Sequence, residues 1–118
     1  MDFNPDKPIF RQIVDLCHGR ILSGEWLPGQ KIASVREMAI TLAVNARTVL
    51  SAFECLQDEG VIVMRRGLGF FLCDDADVRV KQAMRRDFFT NTLPQIFTDM
   101  RSLGISISDI AEHWNENS

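Results

Sequence analysis

A mainly α-helical chain with one small β-hairpin is the fold class this sequence predicts, and three observations predict it. Between Pro8 and Gly60, apolar residues recur at three- and four-residue steps in three successive segments. A β-branched run from Val61 to Met64, the turn-like Arg65-Arg66-Gly67-Leu68-Gly69 and a second apolar run from Phe70 to Leu72 then read as a hairpin. Helical spacing resumes after Asp74 and continues almost to the last residue.

The first helix opens at Pro8, which suits a first helical turn, and Ile9, Phe10, Ile13, Leu16, Cys17 and Ile21 mark its inner face. Gly24 suits the position just past its end. Pro28-Gly29 is a turn, leading to a short extended piece at Lys31-Ile32. Ser34-Val35-Arg36-Glu37 is a capping box, and the short helix it opens turns Met38, Ala39 and Leu42 inward before ending near Ala43-Val44. Asn45 caps a third helix with Val49, Ala52, Phe53 and Leu56 at helical spacing, closed by Gly60. After the hairpin, Asp74, Asp75 and Asp77 precede a long helical stretch to about Leu103, with a kink or break expected near Thr92-Leu93 because Pro94 interrupts it. Gly104 ends that stretch. Ser106 and Asp109 form the reciprocal caps of a last helix striped with Ile107, Ile110, Ala111 and Trp114.

Composition narrows the function. The chain has 118 residues with 13 Lys plus Arg against 16 Asp plus Glu, a formal charge of −3. That length supports a single domain with a small appendage. No apolar run approaches the roughly 20 residues of a membrane span, and Met1-Asp2 is the wrong start for a signal peptide, so a cytoplasmic protein is expected. Cys17, Cys55 and Cys73 form no CxxC pair and read as reduced, mostly buried thiols. Cys17 and His18 are sequence neighbours whose side chains diverge on a helix, and no four-ligand zinc constellation is visible, so no metal or other cofactor is expected. Catalysis is not expected either: there is no Gly-rich phosphate loop after a strand, no paired carboxylates and no tyrosine. The acidity looks unfavourable for nucleic acid, but it is unevenly placed. Residues 1–72 carry eight basic and eight acidic side chains, whereas residues 73–118 carry five and eight.

Helix, helix, short turn, helix and hairpin, in that order, make a winged helix-turn-helix. In such an arrangement the third helix fits the major groove of DNA and the hairpin reaches the backbone or the minor groove. The N-termini at Ser34 and Asn45 offer free N–H groups to phosphate, while Lys31 and Arg65 suit phosphate contacts that add affinity without sequence information. Ser51, one turn on from Thr48, is a further candidate on the same face. Glu54, Asp58 and Glu59 lie at the far end of the third helix, away from the cations.

These residues also carry a family resemblance. Pro8-Ile9-Phe10-Arg11-Gln12-Ile13, Ile21-Leu22-Ser23-Gly24, Leu27-Pro28-Gly29-Gln30-Lys31-Ile32, Ser34-Val35-Arg36-Glu37-Met38-Ala39, Asn45-Ala46-Arg47-Thr48-Val49, Leu56-Gln57-Asp58-Glu59-Gly60 and Gly67-Leu68-Gly69-Phe70-Phe71 resemble, in order, the motifs of the GntR family of bacterial transcription regulators. The resemblance spans residues 8–72, and the short tail is similar to that of the small YtrA-like subfamily. It implies a DNA contact for Arg36 at the start of the second helix. It implies contacts for Asn45, Arg47 and Thr48 on the leading edge of the recognition helix, and for Arg66 and Gly67 in the wing. Arg47 can then grip the O6 and N7 edge of guanine. Three positions depart from the family pattern. Ala33 stands in place of a usual proline, Phe70 in place of threonine, and Leu50 in place of a commonly polar or basic residue. Leu50 is read as packing against the second helix, with contact to a thymine methyl as the alternative.

The expected domains are therefore residues 1–73, a winged helix-turn-helix, and residues 74–118, a helical dimerisation tail. Met84, Phe88, Phe89, Ile96, Phe97, Met100, Ile107, Ile110 and Trp114 give the tail more apolar surface than two short helices can bury alone. A two-fold homodimer would present two recognition helices to a pseudo-palindromic operator. The expectation is a homodimeric transcription regulator, a repressor, with double-stranded DNA and itself as partners. A small-molecule effector would have to act in the dimer cleft or near Cys73 to Val80. Two other readings use the same residues: a winged-helix module that docks protein through its tail, and a metal- or redox-responsive regulator built on the three cysteines.

Overall fold

The computed structural model describes residues 3–118. In chain order it contains α1 (Ile9–Leu22), α2 (Val35–Leu42), α3 (Ala46–Asp58), β1 (Ile62–Arg65), β2 (Gly69–Leu72), α4 (Ala76–Asp87), a π-helical turn (Phe88–Thr92), α5 (Leu93–Leu103) and α6 (Ile107–Asn117). The chain divides into two compact units, Met1–Ala83 and Met84–Ser118, so the first turns of α4 belong to the first unit. The architecture is mainly helical with one antiparallel hairpin, as the sequence predicts.

Local rules build the first unit. At the start of α2, Glu37 N–H donates to Ser34 Oγ at 3.1 Å and Ser34 N–H donates to Glu37 Oε1 at 3.2 Å, so two otherwise orphaned donors are satisfied reciprocally. Asn45 Oδ1 accepts from Arg47 N–H at 2.8 Å and opens α3. Between these helices Ala43 closes α2 at φ 55° and ψ 46°, the only non-glycine residue at positive φ among those described. The Val44 N–H reaches back to Ala39 O at 3.0 Å, which satisfies a helix-end carbonyl. An L-residue held left-handed costs about 1 kcal/mol. Ala43→Gly is therefore expected to stabilise the chain by roughly 0.5–1 kcal/mol, read as a rise in the urea midpoint at unchanged slope. Unchanged or lower stability would contradict this.

The hairpin pairs Ile62 with Leu72, Val63 with Phe71, Met64 with Phe70 and Arg65 with Gly69. Its outer edge is covered by residues 29–32, through Gly29 N–H to Leu72 O (2.8 Å), Leu72 N–H to Gln30 O (2.9 Å) and Ile32 N–H to Phe70 O (3.0 Å). The expected extended piece at Lys31-Ile32 is thus in effect a third strand of the wing. Gly69 lies at φ 109°, and a Cβ there would come within 3.1 Å of Lys31 Cε. Glycine lets the two segments close up.

One core joins these pieces. Ile13, Val14, Cys17 and Ile21 of α1 pack with Met38 and Leu42 of α2, with Val49, Phe53 and Leu56 of α3, and with Val61, Phe70 and Leu72 of the hairpin. Ala76 and Val80 of α4 belong to the same core. Ile9 departs from expectation: it is exposed, because it starts α1 beyond the reach of the core, and Val14 takes a place on the inner face instead. Phe53 and Phe70 meet edge to face, 5.0 Å between ring centres, which gives the aromatic ring of the wing a partner in α3.

In the remaining stretch, the interruption expected from Pro94 takes the form of a widened turn. Leu93 N–H bonds to Phe88 O, five residues back, and Pro94 then occupies the first turn of α5. Proline lacks an N–H and its ring crowds the carbonyl four residues earlier, so a wide turn absorbs the mismatch without ending the helical run. In α6, Ser106 Oγ accepts from Asp109 N–H at 3.1 Å and Asp109 Oδ2 accepts from Ser106 N–H at 2.9 Å, the expected capping box. Those bonds, from the Ser106 backbone first, hold the Asp109 carboxyl below its usual range.

Candidate nucleic-acid interface

The start of α2, the start of α3 and the wing hold the candidate cations. Lys31, Arg36, Arg47, Arg65 and Arg66 are all exposed. None takes part in the ion pairs among the described residues, which are Lys7–Asp15, His18–Glu59, Arg20–Glu25 and Arg79–Asp75. Other cations of the first unit are engaged: Arg11 lies over the Phe10 ring and donates to Cys55 Sγ, and Arg20 lies over Trp26 as well as pairing with Glu25. Within residues 1–72, a segment of zero formal charge, the five cations predicted to meet phosphate lack acidic partners, as does Arg11, which is held instead against Phe10 and Cys55.

Local contacts shape that set. The Lys31 side chain lies against Gly69, and Lys31 is bridged to Phe71 in the wing. The Arg65 guanidinium lies over the Phe71 ring at 4.5 Å, so the aromatic residue props one cation and stands beside another. Lys31 also reaches the α2 terminus electrostatically. The Glu37 carboxyl is held below its usual range first by its hydrogen bond from the Ser34 backbone, and less strongly by the Lys31 ammonium. Arg66 and Gly67 form the tip, with Gly67 at φ 77° and Leu68 N–H closing on Arg65 O at 2.9 Å. The sequence predicts an extended piece at Lys31-Ile32 but not its partner. Its position in the wing depends on a pairing some forty residues distant, which no local pattern signals.

On α3, Val49, Ala52, Phe53 and Leu56 are buried, while Ala46, Arg47, Leu50 and Glu54 form the exposed stripe. Thr48 and Ser51 are half-buried, and Ser51 Oγ donates to Arg47 O at 3.2 Å. Ser34 is half-buried with its oxygen occupied by the cap, and Asn45 is exposed at the helix start. Leu50, expected to pack against α2, is 41% exposed. Its neighbour Val49 takes the inward position, and a step of about 100° carries Leu50 out of the core face.

Two buried polar groups on α1 went unread in the sequence. Gln12 Nε2 donates to Asn4 O at 2.7 Å and Lys7 O at 2.8 Å, while its Oε1 accepts from Asn4 N–H at 2.8 Å, pinning the segment before α1. His18 Nε2 meets Glu59 Oε1 at 2.8 Å and ties α1 to the end of α3. Both stabilise the frame and lie off the cationic face.

The cysteines give the chain poor thiolates. Burial pushes the Cys17 thiol up to about 12, with Arg20 pulling weakly the other way. Cys55 and Cys73 are also raised, mainly by burial, although both are only half-buried, less than the sequence suggests. Among the described residues no three His, Cys, Asp or Glu side chains converge as a metal site. A raised folded-state pKa favours the neutral thiol, so the stabilisation from Cys17 is complete below about pH 9 and is lost as pH rises towards about 12. Stability measured in urea is expected to fall across that window, and the fall should flatten in Cys17→Val. An equal slope in the variant would contradict this assignment.

In the tail, α6 has no buried residue at all, although Ile107, Ile110 and Trp114 form one stripe, with 66%, 44% and 73% of their surfaces exposed. Met84, Phe88, Phe89 and Ile96 are also exposed and Phe97 is half-buried. Met100 is a correction to the expected apolar face: it is buried within its own chain and offers little surface to a partner. Among the described residues, no helix is long and apolar enough to cross a membrane.

Comparison with known proteins follows the same lines. The family model described as bacterial regulatory proteins, gntR family, matches residues 10–72. The HTH-type transcriptional repressor YtrA of Bacillus subtilis (strain 168) is 29% identical over 116 residues, covering 98% of this chain and 88% of that protein. A solved GntR family transcriptional regulator from Listeria monocytogenes is 33% identical and superimposes with a TM-score of 0.75, covering 98% of this chain and 99% of that one. The AraR DNA-binding domain solved in complex with an operator is 26% identical with a TM-score of 0.56, over 62% of this chain and 86% of that one.

Proposed function

Because the chain belongs to the gntR family of bacterial regulatory proteins, a DNA-binding and non-enzymatic class, we propose that it is a homodimeric repressor reading a pseudo-palindromic operator. The observation that carries this reading is the set of five exposed cations without acidic partners at the α2 start, the α3 start and the wing. In this reading α3 enters the major groove with Asn45, Arg47 and Thr48 leading. Arg36 and the two helix N-termini hold phosphates, and Lys31, Arg65, Arg66 and Gly67 follow the flanking backbone or minor groove. The likeness to an operator-bound domain and to a named repressor supports it. The excess acid lies in residues 73–118. Non-specific attraction is then modest, and affinity comes from pairing two half-sites.

The dimer rests on α6. An eleven-residue helix with no buried side chain has only its capping box to hold it in water, where isolated helices shorter than about 12 residues are marginal. A second copy docking on the Ile107, Ile110 and Trp114 stripe, together with the exposed Phe88 and Phe89 of the same unit, supplies the missing burial. The chain works in the cytoplasm, where its operator is. An effector molecule can regulate such a dimer only by favouring one spacing of the recognition helices over the other.

Sedimentation is expected to give a dimer, and Ile107→Glu with Trp114→Glu should yield a folded monomer with operator affinity reduced at least tenfold. A wild-type monomer, or a monomeric variant with undiminished operator affinity, would remove the dimer from the mechanism. Selection from a random duplex pool is expected to return a two-fold-symmetric sequence with half-sites about one helical turn apart.

A further inference from the structure

The exposed stripe of α3 contains one large apolar residue, Leu50, which cannot make the polar contacts expected of a base-reading helix. Leu50 follows Arg47 by three residues, so the two side chains share a face, and Leu50 is 41% exposed while Val49, Ala52, Phe53 and Leu56 are buried. The polar side chain next to it, Ser51, is half-buried and already donates its hydroxyl to Arg47 O. At that level of the helix the groove therefore meets an aliphatic surface. In the major groove the one strongly apolar base feature is the C5-methyl group of thymine. Three residues advance a helix by about 4.5 Å, and stacked base pairs are about 3.4 Å apart.

We propose that Leu50 is a specificity-determining residue that selects thymine through its methyl group, one or two base pairs from the guanine read by Arg47. This rests on the reading of α3 as the groove-facing helix. It gives the half-site a guanine and a thymine as near neighbours, on the same strand or on opposite strands.

Replacing thymine by deoxyuridine removes only that methyl group. In operator duplexes recovered by selection, deoxyuridine is introduced at each thymine in turn, and binding is titrated with wild type, Leu50→Ala and Leu50→Met. One substituted position per half-site is expected to weaken wild-type binding about fourfold, the worth of one buried methyl. Leu50→Ala should lose that dependence while keeping its dependence on the guanine, and Leu50→Met should retain much of it. Because Leu50 is exposed, both variants are expected to melt with the wild type. Indifference of the wild type to every deoxyuridine, or equal sensitivity in Leu50→Ala, would overturn the assignment and leave the DNA-binding reading intact. Absence of any salt-sensitive duplex binding would overturn both.

Discussion

Arg47→Ala is expected to flatten sequence preference, removing roughly 1–3 kcal/mol of discrimination per half-site at the guanine it is proposed to read. Arg47 is exposed and has no acidic partner among the described residues, so truncation removes a contact to DNA without leaving a buried charge behind. Its backbone N–H, which serves the Asn45 cap, is untouched, and the fold should melt normally. Lys31→Ala makes the contrast. It is expected to weaken every duplex alike and to reduce the salt slope by about one for each copy bound. Binding isotherms against selected and scrambled duplexes at several salt concentrations separate the two behaviours. If both variants lost affinity in parallel on all sequences, the division between base reading and phosphate holding would be wrong.

The second large effect lies in the core. Phe53→Ala should cost about 3–5 kcal/mol, since the side chain is fully buried and meets Phe70 edge to face. Against a total stability of about 5–15 kcal/mol this is a large fraction, and Tm should fall by roughly 10–20 °C. The site makes it more than a stability mutation. Phe53 belongs to α3 and Phe70 to β2, so their contact holds the two elements proposed to face DNA in one frame. A drop in Tm of only a few degrees would show that the wing is held mainly by its pairing with residues 29–32.

What could be read from the sequence follows the range of the forces involved. The caps at Ser34, Asn45 and Ser106 act over two or three residues, and each forms the hydrogen bonds its spacing predicts. The inner faces of α2 and α3 follow from periodicity alone, because a core on one side leaves helical residues little choice. Features that join distant segments were not legible. The His18–Glu59 contact, the anchoring by Gln12 and the placement of Lys31 in the wing each depend on tertiary packing. Ala43 gave no local sign of its left-handed backbone, since glycine is the residue that normally marks such a turn. For the site, residue type and helix position identify the cations. Only the folded chain shows that Leu50 faces outward and that acidic partners leave those cations free.

In the proposed mechanism a two-fold pair of these chains reads two half-sites, each by α3 and its wing. The most direct measurement titrates wild type against a selected operator and against the same duplex with one half-site scrambled, across a range of salt. A loss of at least thirtyfold is expected on scrambling, together with a steep fall in affinity as salt rises. Equal affinity for the two duplexes, or binding that ignores salt, would contradict it.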